Sequence, residues 1–256
     1  MKQLTAFIKK EFLELLRSGK IVILLTMCYL FGIMNPATAR LLPWMLEIMS
    51  EQLAESGMQL TEIKVDAITS WTQFFKNMPI LLIIFIVMFG SILTAEYQKG
   101  TLVNIVTKGM KRWKILISKL LVMTVFWTAG YLITFAITYG YNVYFWNDTI
   151  SMHLLSAVSG YYLTGLWLLS AVLPASVVLK SSPGVTLCVG AAFAVSYLTG
   201  LLPAFREYVP TFLLSSNELL QGAVHTSECI VAAGITFMLI IMNGFLSVLL
   251  FNKKTI

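Results

Sequence analysis

Long uncharged runs alternate along this chain with short clusters of charge. The uncharged stretches are 21–39, 77–95, 120–147, 149–179, 181–205 and 229–252, and none is shorter than nineteen residues. A helix needs about 20 residues to cross a hydrocarbon core about 30 Å thick. The run 149–179 is too short for two crossings, so it reads as one long or tilted helix with a loop attached. No stretch alternates with a period of two, and open strands would leave backbone groups unpaired in lipid, so each run predicts a helix. The expected fold class is all-α integral membrane, with six transmembrane helices in a single domain over 1–256. The spans fall near 21–39, 78–95, 119–146, 154–179, 183–203 and 229–251.

The remaining segments carry weaker patterns. Residues 2–17 place Leu4, Phe7, Ile8, Phe12, Leu15 and Leu16 on one stripe, with Lys2, Lys9, Lys10, Glu11, Glu14 and Arg17 opposite. That spacing predicts an amphipathic helix over 1–18, lying in the headgroup layer before span 1. Ser18-Gly19 breaks it, so the chain can turn from lying on the membrane to crossing it. Residues 44–55 repeat Glu47, Glu51 and Glu55 opposite Leu46, Met49 and Leu53, which predicts a separate interfacial helix within 40–76. Trp71, Phe74 and Phe75 read as interface anchors ahead of span 2. The segment 203–228 is too polar to span and fits a piece that re-enters the protein.

Composition and charge sharpen the picture. The chain is 58% hydrophobic and 12% charged, about half the charged fraction of a soluble domain. With the N-terminus inside, the inner pieces hold fourteen of the eighteen Lys and Arg, while nine of the twelve acids lie outside. Both termini are therefore expected in the cytoplasm. The net charge of +6 follows from this bias and is not the footprint of a nucleic-acid binder. Cys28, Cys188 and Cys229 fall in or at the end of different spans, which argues against a disulfide framework or a metal site. Ala37-Thr38-Ala39 has the small-residue form of a signal-peptidase site. Glu11 and Glu14 in the helical segment ahead of it favour a retained first helix.

Polar residues within the spans are mild, among them Asn35, Thr94, Thr134, Thr138, Ser170 and Asn243. None is charged, which argues against a proton relay or a buried salt-bridge pathway. Ser156 and Gly160 form a small-xxx-small pair suited to close helix packing. The absence of an internal repeat weakens a secondary transporter. His153 and His225 stand alone and read as surface histidines. H-E-x-x-H and G-x-S-x-G are absent, as is any filter-like segment, so an intramembrane enzyme or a channel is disfavoured.

The segment after span 2 is different in kind. "TAEYQKGTLVNIVTKGMKRWK" (94–114) runs from an acid through Gly-Thr-Leu to a basic cluster, and "KRWKILISKLL" then leads into span 3. Gly100 allows a tight bend and Thr101 is placed to cap a helix over Leu102–Met110. This order resembles the ABC-2 type permeases, the membrane subunits of ATP-driven exporters. The positions that carry the resemblance are Glu96, Gly100, Thr101, Leu102, Arg112, Lys119 and Leu120, together with the N-terminal helix and the six-span layout.

The resemblance implies that 97–112 is a cytoplasmic coupling helix, with Glu96, Tyr97, Lys99, Gly100, Thr101, Leu102, Lys108 and Arg112 linking the chain to an ATPase. It implies an elbow role for 1–18, in which Phe7, Phe12 and Arg17 take part. The phosphate-cradling pattern G-x-x-x-x-G-K-[ST] is missing, and no inner stretch is long enough for a nucleotide-binding domain. This chain is thus expected to be no enzyme and to bind no cofactor, with ATP and Mg on a separate ABC ATPase subunit. A second permease copy or a paralogue completes the expected assembly in a bacterial plasma membrane, a homodimer being the simpler form. Neutral span interiors favour amphipathic or hydrophobic cargo, and some members of the family export antimicrobial, toxin or signal peptides. The alternative is a non-transporting immunity or sensor subunit that binds an ATPase.

Overall fold

A computed structural model describes residues 2–54, 66–107, 109–146 and 153–254. Among these there is no strand. The α-helices are α1 (Lys2–Arg17), α2 (Lys20–Ala54), α3 (Ala67–Phe89), α4 (Thr94–Gln98), α5 (Thr101–Thr107), α6 (Arg112–Trp146), α7 (Leu154–Val178), α8 (Ser182–Gly200), α9 (Ser216–Leu220) and α10 (Cys229–Lys253). Among the described residues, six segments are long and apolar enough to cross a membrane, with the α3 segment running on through α4 to Gln98.

Local chemistry sets the boundaries. Gly19, at φ 72°, separates α1 from α2, and the Ser18 hydroxyl donates to the Leu15 carbonyl at the end of α1. Asp66 caps α3 by accepting from the Thr69 N–H at 2.9 Å and its hydroxyl at 3.1 Å. Gly100, at φ 65°, splits the expected 97–112 helix into α4 and α5, and Gly109, at φ 82°, lies between α5 and α6. The Thr101 hydroxyl does not cap α5; it donates to the Glu96 carbonyl at 3.4 Å.

Packing centres on α7, which touches α3, α6, α8, α9 and α10. Trp127 of α6 lies against Gly165 of α7 and donates its indole N–H to the Tyr162 carbonyl at 3.2 Å. Tyr131 donates to the Val158 carbonyl at 2.7 Å. The segment around Pro210–Leu214 folds back against α7, α8 and α10, burying Thr211, Phe212 and Leu213. Gly160 meets this segment rather than another span, because an added Cβ would come 2.9 Å from the Leu213 carbonyl oxygen.

Two sequence expectations are corrected. Trp71 and Phe74 are fully buried and Phe75 nearly so, not placed as interface anchors. The reason is that α3 begins at Ala67, so these rings stack inside the bundle with Tyr131, Phe135 and Tyr161. Residues 44–54 do not form a separate helix. They continue α2, whose helix carries on through Pro36 and Pro43. Glu55 lies outside the described residues.

Asn35 of α2 donates to the Thr138 hydroxyl at 3.2 Å and accepts from the Asn77 amide at 2.8 Å, which joins α2, α3 and α6 in the apolar interior. One turn along α6, Asn142 is fully buried and neither of its amide atoms has a hydrogen-bond partner among the described residues.

A Cβ at position 165 would lie 2.2 Å from the Trp127 ring, whereas one at Gly190 would meet nothing within 4 Å. Gly165→Ala is therefore expected to destabilise the fold by about 1–3 kcal/mol. Gly190→Ala should be neutral or stabilising by up to about 1 kcal/mol. Thermal unfolding of both variants in detergent checks the contrast.

Candidate functional site

The described chain ends, α4, α5 and the start of α6 lie at one end of the bundle. There, Lys119 of α6 is completely buried. Its ammonium donates to Glu11 Oε2 at 3.0 Å and to the Ile92 carbonyl at 2.9 Å, and lies 3.0 Å from Glu96 Oε2. The contact to Glu96 is ionic and off the direction of an aligned hydrogen bond. The other Glu96 oxygen accepts from Lys10 Nζ at 2.7 Å, and Lys10 also lies 2.9 Å from Glu11 and 2.8 Å from Glu14. The Phe7 ring sits beneath both ammoniums, 5.1 Å from Lys10 and 5.9 Å from Lys119.

This cluster lies at the ends of the uncharged runs, where the sequence pattern alone does not show that charges meet in a buried place. Charges enter the protein because α1, α4 and α6 each bring one to the same point, so every buried charge meets an opposite one. Burial works to lower the Lys10 pKa, but Glu14, Glu96 and Glu11 together outweigh it and hold the ammonium above its ordinary value. A raised lysine keeps its stabilising charge below the ordinary lysine pKa and loses it only as pH rises through the higher folded value. Lys10 thus stays charged across the physiological range. Oxygens of Glu11, Glu14 and Glu96 lie within 4.8 Å of one another, a spacing that could hold a cation. Lys10 and Lys119 already supply that positive charge, so the donors do not favour a metal.

A second clasp lies beside the first. Arg112 Nη1 donates to the carbonyls of Phe251, Asn252 and Lys254 at the end of α10, the last at 2.7 Å. Cationic groups suit a helix C-terminus, where carbonyls lack intrahelical partners. Lys254 donates to the Val177 carbonyl of α7 and sits 4.2 Å above the Tyr97 ring. Burial, followed by the nearby charge of Lys180, lowers the Lys254 pKa. Lys20 ties the start of α2 to the end of α3 through the Met88 carbonyl at 3.1 Å and the Ser91 hydroxyl at 2.8 Å.

The residues named from the sequence divide by placement. Glu96 and Leu102 are buried, and Tyr97 and Arg112 are turned towards the neighbouring helix ends. Lys99, Gly100 and Thr101 are exposed at the bend. Lys108 lies outside the described residues. Phe7 is buried, Phe12 stacks on Phe126 with centroids 5.2 Å apart, and Arg17 is exposed.

Sequence reasoning missed Glu11 and Lys10. The signal for Glu11 was its position four residues after Phe7 and four before Leu15, an acid within a buried row rather than on the polar face. α5 itself presents Val103, Asn104 and Thr107 outward while Leu102 anchors it.

Six membrane-length helices with a charged, clasped loop at one end define a multi-pass membrane protein. The chain belongs to the ABC-2 transporter family: the model described as "ABC-2 family transporter protein" matches residues 7–200. It is also similar to the "Uncharacterized transmembrane protein YxlG" of Bacillus subtilis (strain 168), at 24% identity over 233 residues that cover 87% of each chain. The family is that of membrane components of ABC transporters rather than of their ATPase subunits, so association with an ABC ATPase follows from membership.

Lys119→Met should leave Glu11 and Glu96 side by side with Lys10 as their one shared cation and cost up to about 3–5 kcal/mol. Glu11→Gln and Glu96→Gln added to Lys119→Met should recover most of that loss, measured as thermal midpoints in one detergent.

Proposed function

We propose that this chain is the permease subunit of an ATP-driven ABC exporter in a bacterial plasma membrane. A separate ATPase subunit binds ATP and Mg, and a second permease copy completes a homodimer. The end carrying α5 and the described chain ends faces the cytoplasm, in keeping with the excess of Lys and Arg in those segments. α1 serves as the elbow at the inner headgroup layer. The cargo is amphipathic or hydrophobic, peptide or drug-like, because the interior between spans offers neutral amides, hydroxyls and aromatic rings. Nucleic acid has no part in this reading.

One observation carries the proposal. α5 is a short helix whose outward residues are Val103, Asn104 and Thr107, while both of its ends lead into clasped structure. A push on α5 has two outlets, through Glu96 towards α1 and through Arg112 towards α6 and α10. Nucleotide-driven closure of the ATPase then alternates the spans between inward-open and outward-open forms.

Val103→Asp tests it. Its side chain is 43% exposed, so the change should alter stability by no more than about 0.5 kcal/mol. Copurification of the ATPase and stimulation of its activity in vesicles should both be lost. A variant that keeps its ATPase fully bound and coupled sinks the assignment of α5.

A further inference from the structure

A cavity of about 150 Å³ lies between the end of α1, the start of α2 and the turn from α3 to α4. It adjoins a more open groove bordered by Lys10, Leu13, Glu14, Arg17, Ser18 and Lys99. We infer that this is a binding site for the phosphate of an anionic phospholipid, held by Arg17, Lys20 and Lys99.

Charge accounting singles out these three. The acids facing the two spaces are Glu11, Glu14 and Glu96, and each already has Lys10 or Lys119 within 3.0 Å. Arg17 borders the groove, Lys20 the cavity and Lys99 both, and none of the three makes an ion pair among the described residues. Lys20 spends two donors on Met88 and Ser91, which leaves its third for a ligand. Lys10, Arg17, Lys20, Lys99 and Lys119 line the two adjoining spaces against Glu11, Glu14 and Glu96, five cations to three acids, and an added anion offsets that excess. A phosphate oxygen accepts from guanidinium and ammonium alike.

The surroundings favour a lipid as the source. The site lies at the Gly19 turn, where the amphipathic helix meets the first span. Leu13 on its rim is exposed, as are Leu16 and Val22 on either side of the turn, so acyl chains have an apolar surface directly beside the charges. Basic side chains at such a level attract anionic headgroups.

The full chain, without any ATPase, is compared in nanodiscs of phosphatidylcholine with and without phosphatidylglycerol. Phosphatidylglycerol is expected to raise the wild-type Tm by several degrees, since a ligand of the folded state alone stabilises it. Arg17→Gln with Lys99→Gln should lose that gain, and both side chains are exposed, so folding is spared. Lys9→Gln with Lys111→Gln removes the same charge from exposed positions elsewhere and should keep it. A gain from inorganic phosphate in detergent, lost in the same double variant, retains the site and makes free phosphate its source. Full retention of the lipid gain in Arg17→Gln/Lys99→Gln, or equal loss in both double variants, overturns the proposal. Loss of ATPase copurification with the lipid gain intact would instead assign the surface to a protein partner. The lipid readout involves no ATPase, so it fails or succeeds independently of the transport reading.

Discussion

Lys119 is fully buried, and the end of the bundle around it is built to make up for that. An ion withdrawn from solvent costs several kcal/mol even after relaxation, so its ammonium needs acceptors and opposite charge close by. The acceptors come from α1, from the turn after α3 and from α4. None of these segments can move off alone without leaving a buried charge unpaired. The ion cluster therefore fixes relative position more than it adds net stability, and it does so beside the Gly19 turn where α1 gives way to α2.

Elsewhere the forces are of another kind. Lipid tails are as apolar as leucine, so helix association inside a membrane relies on close packing and interhelical hydrogen bonds. The contacts of α7 follow that rule: Gly165 admits the Trp127 ring, Gly160 admits a backbone carbonyl, and tyrosine hydroxyls reach across to main-chain oxygens. The Asn35–Asn77–Thr138 contacts do the same for α2, α3 and α6. By contrast, α8 and α10 leave long apolar faces uncovered, including Leu187, Val195, Phe237, Met238 and Phe245. Such faces are at ease in lipid and equally available to another helix.

The six spans were legible because the requirement they meet is local: about 20 uncharged residues in a row. The family layout was legible from Glu96, Gly100 and the basic cluster for the same reason. What failed was anything decided by partners distant in sequence. Trp71 and Phe74 have the composition of an interface belt, and only the early start of α3 takes them into the core. Residues 44–54 carry a helical repeat of their own, yet nothing in that repeat shows that helix would persist through Pro43. Glu11 was assigned to a polar face because charge is normally solvated, although its spacing from Phe7 and Leu15 placed it in the buried row. Its buried opposite charge, Lys119, lies 108 residues away in the chain.

The geometry of α6 has a mechanical consequence. It is 35 residues long and contains no proline, unlike α2, α3 and α7. The ion cluster grips it at Lys119, seven residues from its start at Arg112 and twenty-seven from its end at Trp146. Treated as a rigid rod rising 1.5 Å per residue, it has a short arm of about 10 Å and a long arm of about 40 Å. With Lys119 as fulcrum, a shift of about 2 Å at Arg112 becomes about 8 Å at Trp146. A buried lysine near one end of a proline-free helix thus divides it into arms whose lengths differ roughly fourfold.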